Sequence, residues 1–211
     1  MIDLYTWGTP NGRKISIMLE EIELEYNVIP INITKNEQFS EKFSLISPNN
    51  KIPVITDNDE GVSIMESGAI LSYLSKKSGK LIPVDKEEEI KNDQWLMFQM
   101  ASLGPMCGQA HHYLKFNVGK APYTEKRLRE EVLRLYKVMD NRLKHSQYFS
   151  GPNFRTADIA IWPWVSRFEW HQADLNNFVH VSRWYKEVSL RSSVKKGYDV
   201  PENGQSIPMP L

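Results

Sequence analysis

Over residues 1–80 the hydrophobic positions switch between two spacings. Met1 to Trp7 reads as a short strand. From Asn11 to Leu24, Ile15, Met18, Leu19 and Ile22 recur every three to four residues, which predicts a helix beginning just after Pro10. Glu25 to Ile33 returns to strand character, and Ser40 to Ile46 predicts a short helix stopped by Ser47-Pro48-Asn49-Asn50. Ile52 to Thr56 and Val62 to Met65 flank the polar turn Asp57-Asn58-Asp59-Glu60-Gly61, the pattern of a β-hairpin. Ser67 to Lys77 closes the series as a helix with Ala69, Ile70, Tyr73 and Leu74 turned inward.

The resulting order, β-α-β-α-β-β-α, is the thioredoxin-like order, one of several α/β arrangements that the pattern allows. Beyond it no strand run is evident. Lys80-Leu81-Ile82-Pro83-Val84-Asp85 reads as a linker, and two long helices are predicted over Glu87–Tyr113 and Tyr123–Lys144. Of Trp95, Phe98, Trp162, Trp164, Phe168, Trp170 and Trp184, most are expected to supply core volume. The expected organisation is an α/β domain over 1–80, an all-helical domain over 87–200 and a surface tail over 201–211, where proline and glycine recur.

Composition narrows the function. The chain has 211 residues, with 26 Lys+Arg against 26 Asp+Glu and 41% hydrophobic residues. That is enough to bury a core, and a formal charge of zero provides no field for nucleic acid or anionic lipid. No signal-like segment or spanning run is evident, so a cytoplasmic location is expected. The single cysteine, Cys107, excludes an internal disulfide, a CxxC pair and a Cys-based zinc site. Inside a helical stretch it reads as small apolar filler. His111-His112 invites a metal, but adjacent helical side chains diverge by about 100° and neither has a carboxylate or cysteine four residues on. Packing or a polar lining accounts for them, and no metal is expected.

Three pieces of the first domain carry candidate chemistry. Thr9-Pro10-Asn11-Gly12 brings a hydroxyl, an amide and free N–H groups to a helix start, which serves as a plain cap or as an anion site. Pro53 opens a strand, which is either an ordinary edge proline or a cis Ile52-Pro53 bond that turns the Ile52 backbone toward a ligand. Glu66-Ser67-Gly68 opens another helix, as a routine cap or as a carboxylate site with Glu66 beside it for an ammonium.

Together, TPNG, SPNNKIPVI, ESGAI, LGPMCGQAHHY and TADIAIWPW resemble the cytosolic glutathione transferase superfamily, in particular its bacterial nu-class disulfide-bond oxidoreductases. The resemblance covers nearly the whole chain except the tail. It implies a thioredoxin-like N-terminal domain, an all-helical C-terminal domain, a homodimer, and glutathione as co-substrate. By the same resemblance Ile52 and Pro53 pair with the glutathione cysteinyl backbone, and Glu66 and Ser67 hold the γ-glutamyl ammonium and carboxylate. Lys51 assists near the glycyl end, Gln38 contacts the tripeptide, and Arg127 reaches across from the other subunit. Thr9 and Asn11 stand where other classes present Tyr, Ser or Cys to the sulfur, so they are the catalytic candidates. The expected reaction is reduction of small disulfides by bound glutathione thiolate without a protein cysteine. The alternatives are conjugation to electrophiles and a non-catalytic module on the same fold.

One departure from the family pattern concerns folding. A Ser or Thr three residues before the helix aspartate would complete a capping box, but Arg155 precedes Asp158 at that spacing. Half of the box is therefore expected to be missing, unless Thr156 or Asn153 caps instead. On this reasoning Arg155→Ser should raise the melting temperature.

Overall fold

In the computed structural model, residues 1–202 and 204–210 are described. They cluster into two units, Met1–Ile82 with Leu190–Ile207, and Pro83–Ser189 with the chain end from Pro208.

The first unit runs β1 (Ile2–Thr6), α1 (Pro10–Ile22), β2 (Tyr26–Pro30), α2 (Glu41–Ser44), β3 (Val54–Asp57), β4 (Val62–Met65) and α3 (Ser67–Ser78), the thioredoxin-like order. Its sheet has the order β2-β1-β3-β4. β1 and β2 are parallel, with Leu4 opposite Val28, and α1 supplies the crossover that a parallel pair needs. β3 pairs antiparallel with β1 and with β4, so Val54 faces both Tyr5 and Met65.

Ile2 and Leu4 of β1, Ile15, Met18 and Leu19 of α1, Val54 and Ile55 of β3, and Ile70, Leu71 and Leu74 of α3 are fully buried. Each such side chain contributes about 1.5–3 kcal/mol on leaving water. Within α3, Leu71 takes the inward position expected of Ala69, which is exposed. Asp57 ties the hairpin to α3, accepting from Lys77 Nζ at 2.8 Å and from Tyr73 Oη at 2.6 Å. Burial pushes its carboxyl up, but Lys77, Tyr73 and the Asp59 N–H outweigh that and hold it at about 2.

α1 is buried on more than the one face that its periodicity predicts, because α9 (Ser192–Tyr198) packs against another. A Cβ on Gly197 would lie 2.6 Å from the Ile17 nitrogen, so only glycine permits this crossing. Ser16 Oγ donates to the Gly197 carbonyl at 2.6 Å, and Arg13 Nε donates to the Tyr198 carbonyl at 2.7 Å. Residues 190–200, expected in the helical domain, therefore belong with the first unit. Much of the expected tail is fixed there too, since Asp199 accepts from the Gly204 and Gln205 N–H groups at 3.1 Å and Gln205 meets Arg13. Asn203 and Leu211 of that tail lie outside the described residues.

The second unit contains α4 (Lys86–Phe98), α5 (Gly104–Ala110), α6 (Pro122–Leu143), α7 (Thr156–Val165) and α8 (Val179–Ser189). The predicted helix over 87–113 is divided by π-helical turns at Gln99–Leu103 and His111–Phe116. The first of these precedes Pro105, which has no N–H to donate. Trp162 of α7 and Trp184 of α8 anchor the core through their N–H groups. Trp162 Nε1 donates to the Tyr185 carbonyl at 3.1 Å and Trp184 Nε1 to Asp158 Oδ1 at 2.9 Å. Asp158 also reaches back to the Arg155 N–H at 3.0 Å. The reciprocal half of that box is chemically closed, since a guanidinium has no acceptor. Thr156 bonds Asn92 instead, with oxygen to oxygen at 3.1 Å.

Candidate functional site

The site grows from three bends at which the first unit changes element. At the first, Thr9 caps α1, its Oγ1 accepting the Gly12 N–H at 3.2 Å, so its own hydroxyl hydrogen remains to donate. Gly12 is required there, because a Cβ would overlap the Trp7 carbonyl and Thr6 Oγ1. Pro10 and Asn11 start the helix, and Asn11 is half-buried.

At the second bend Ile52-Pro53 is cis and both residues are buried. The approach to it is braced by Ser47, whose hydroxyl donates to the Lys51 carbonyl at 2.9 Å and accepts the Lys51 N–H at 3.3 Å. Asn50, at φ 51°, joins this bend to the preceding loop, since its Nδ2 donates to the Gln38 carbonyl at 3.0 Å and to Ser44 Oγ at 2.7 Å.

At the third bend Glu66 holds φ 70° and ψ 112°, a conformation uncommon outside glycine, and remains exposed between β4 and α3. Ser67 opens α3 and is buried, so the first N–H groups of that helix, which have no partner within the helix itself, lie beside it.

Asn11, Lys51, Ile52, Pro53, Glu66 and Ser67 line one cavity of about 260 Å³. Six residues from three separated stretches thus meet at one surface. A larger groove of about 970 Å³ is lined by Glu20, Glu21, Glu23 and Glu25 together with Arg191 and Lys196, which pair with Glu21 and Glu20. Thr9 adjoins the smaller cavity through α1, and Gln38 is linked to it through Asn50. Arg127 lies on the exposed face of α6 in the other unit, and its charge acts on Glu131.

Three residues escape the sequence reading. Ser47 and Asn50 look like ordinary turn residues, and only the fold reveals them as braces. Lys14 is one position past Arg13 in a helix whose charges look solvated, yet it is almost wholly buried, with Nζ 3.1 Å from Ser67 Oγ. Burial pulls its ammonium well below the usual lysine range, and Glu66 opposes that shift.

In the helical unit, Cys107 is fully buried and burial pushes its thiol up. His111 and His112 diverge as expected, His111 packing inward and His112 facing solvent. The partner of His111 is His171, which the sequence does not single out, with Nε2 to Nε2 at 2.9 Å. The Tyr136 hydroxyl lies 2.9 Å from His171 Nδ1. Among the described residues no group of three His, Cys, Asp or Glu is placed to hold a metal ion. Among them, too, no helix is long and apolar enough to cross a membrane.

The glutathione S-transferase N-terminal domain profile matches residues 1–76, and the C-terminal domain profile matches residues 93–191. The chain is 42% identical over 196 residues to the disulfide-bond oxidoreductase YfcG of Escherichia coli, covering 90% of this chain and 91% of the relative. Among solved structures it resembles a glutathione transferase from Burkholderia graminis with two glutathione molecules bound per subunit, at TM-score 0.89 and 37% identity over 96% of this chain and 89% of that one. A glutathione transferase from Pseudomonas putida with one glutathione disulfide bound per subunit has TM-score 0.89 and 38% identity over 95% and 91% of the two chains. The chain belongs to the glutathione S-transferase family.

Proposed function

We propose that this chain is a nu-class, glutathione-dependent disulfide-bond reductase that uses the sulfur of bound glutathione and no cysteine of its own. The observation that carries this reading is the convergence of Asn11, Lys51, Ile52, Pro53, Glu66 and Ser67 on one cavity, while Cys107 lies fully buried. The disulfide-bond oxidoreductase name of the E. coli relative and the two sulfur-bearing ligands of the Burkholderia structure support it.

In this reading the Ile52 backbone beside Pro53 pairs with the cysteinyl part of glutathione. Glu66 takes the γ-glutamyl ammonium, Ser67 takes the carboxylate, Lys51 faces the glycyl end and Gln38 adds a contact. The cysteinyl sulfur then lies at the start of α1. Thr9 donates its free hydroxyl hydrogen to it, Asn11 adds a second donor, and the positive helix end favours the thiolate. Each unit by which the thiol pKa falls corresponds to about 1.4 kcal/mol of differential stabilisation.

The thiolate attacks one sulfur of a disulfide RSSR, a new S–S bond forms, and RS⁻ leaves and takes up a proton. A second glutathione thiolate attacks the glutathione sulfur of that mixed disulfide and releases the other RS⁻. Two glutathione thiols are oxidised to one glutathione disulfide and RSSR is reduced to two thiols, so electrons balance without a metal or a protein thiol. A homodimer in which Arg127 reaches the neighbouring site, and a cytoplasmic setting where glutathione is reduced, complete the proposal.

The test is turnover of a small disulfide and of an aromatic halide with glutathione, alongside retention on immobilised glutathione. Disulfide turnover alone supports the proposal. Halide turnover alone makes the chain a conjugating enzyme, and retention without either turnover makes it a binding module.

A further inference from the structure

We propose that Gln205 is a positioning residue for disulfide reduction, holding through Arg13 the turn of α1 that carries Thr9. This rests on the glutathione reading of the cavity and goes beyond it by drawing the C-terminal segment into the chemistry. Contacts to that segment recur along α1 at every fourth residue. Toward the end of the helix Glu21 accepts from Arg191 Nε at 3.2 Å and also from Ser193 Oγ. One turn back, Ile17 lies against Gly197 with no room for a Cβ. A further turn back, Arg13 donates from Nε to the Tyr198 carbonyl at 2.7 Å and from Nη2 to Gln205 Oε1, with its guanidinium 3.7 Å from the centre of the Tyr198 ring. Residues four apart share one helix face, so Thr9 is the next position on this stripe.

The step from Arg13 to Thr9 is direct. The Arg13 N–H donates to the Thr9 carbonyl at 3.0 Å, and the Gly12 N–H donates to Thr9 Oγ1 at 3.2 Å. The Arg13 side chain is fully buried, so its place is set by the groups it bonds and not by water. A planar guanidinium held at both Nε and Nη2 has little freedom to turn. Gln205 is itself held, because Asp199 accepts its N–H and that of Gly204 at 3.1 Å, which closes a loop that presents Oε1 to Arg13. Loss of that acceptor releases one prong of a buried fork, which resettles and takes the turn beneath Thr9 with it. Donors aimed at a reacting atom tolerate little displacement, since a misplacement of about 1 Å can cost about 100-fold in rate.

The test uses Gln205→Met, which removes the acceptor at nearly equal length, and Gln205→Glu, which keeps it. Gln205 is exposed, so both variants should fold, and a thermal melt confirms that they do. The measurements are kcat and KM for glutathione with a small disulfide, and the thiol pKa of bound glutathione from its thiolate absorbance against pH. Gln205→Met should lower kcat about three- to tenfold, raise the bound thiol pKa by about 0.5–1, and leave KM for glutathione within about twofold. Gln205→Glu should stay within about twofold of wild type in rate. The proposal is overturned if Gln205→Met matches wild type, changes KM alone, or loses rate with the bound thiol pKa unmoved, and equally if Gln205→Glu is as slow as Gln205→Met. Wild type that turns over no disulfide removes the underlying site reading, and this proposal with it.

Discussion

Arg155 grips Glu88 with both prongs of its guanidinium, Nε lying 3.1 Å from Oε1 and Nη2 3.0 Å from Oε2. Both side chains are close to full burial, at 11% and 6% exposure. Glu88 in turn accepts the Val84 N–H at 2.7 Å and the Asn153 amide at 3.1 Å, so the pair knits the start of α4 to the start of α7.

This reverses the expectation that Arg155→Ser raises stability. A serine could restore the missing half of the capping box, worth about 1 kcal/mol. It would also leave a buried carboxylate without its cation, which costs about 3–5 kcal/mol. Arg155→Ser should therefore lower the melting temperature, and adding Glu88→Gln should recover part of the loss. A thermal melt of wild type and the two variants checks the order.

Thr9→Ala should act twice. Loss of the cap on Gly12 lowers stability by about 1 kcal/mol. Loss of the hydroxyl hydrogen should lower kcat for disulfide reduction by about tenfold for each unit by which the bound thiol pKa rises, with a smaller effect on KM. Thr9→Ser keeps both the acceptor and the donor, so it should retain most of the rate. Steady-state kinetics with a small disulfide separate the two variants.

Cys107→Ser should retain most disulfide reductase activity, because the thiol is fully buried and burial disfavours its thiolate. Some loss of stability is expected, because Cys107 Sγ lies 3.9 Å from His171 Nδ1 and the smaller hydroxyl changes that buried contact. Near-complete loss of rate in a folded variant would show that the protein thiol takes part.

The paired histidines predict a pH dependence. Burial, with Arg167 adding to it, lowers His111 to about 4. Burial first, then His111 and Arg167, hold His171 well below the usual imidazole range. In the unfolded chain both imidazoles titrate near about 6.5. Below that pH the unfolded state binds protons that the folded state excludes, so the stability associated with these groups is complete above about 6.5 and is lost as pH falls toward 4. Denaturation at pH 7.5 and 5.0 should show the decline, and His171→Gln should reduce its slope.

What the sequence determines by itself is local. The three-to-four spacing of Ile15, Met18, Leu19 and Ile22 fixes a helix face, Thr9 and Pro10 fix its start, and the polar turn before Gly61 fixes a hairpin. Those signals are set by near neighbours, so they survive without the fold, and they yield the thioredoxin-like order. The motif residues of the cavity are legible for the same reason, each lying at a bend with its own local chemistry.

Only the tertiary structure decides where distant side chains meet. Gly197 crossing Ile17 moves the C-terminal segment into the first unit, Lys14 reaches Ser67 across 53 positions, and His171 meets His111 across 60. Arg155 shows the difference most plainly. Its neighbours in the chain make it a poor cap, but Glu88, 67 positions away, makes it a buried ion-pair partner. Burial and charge pairing depend on what packs opposite, and no spacing along the chain encodes that.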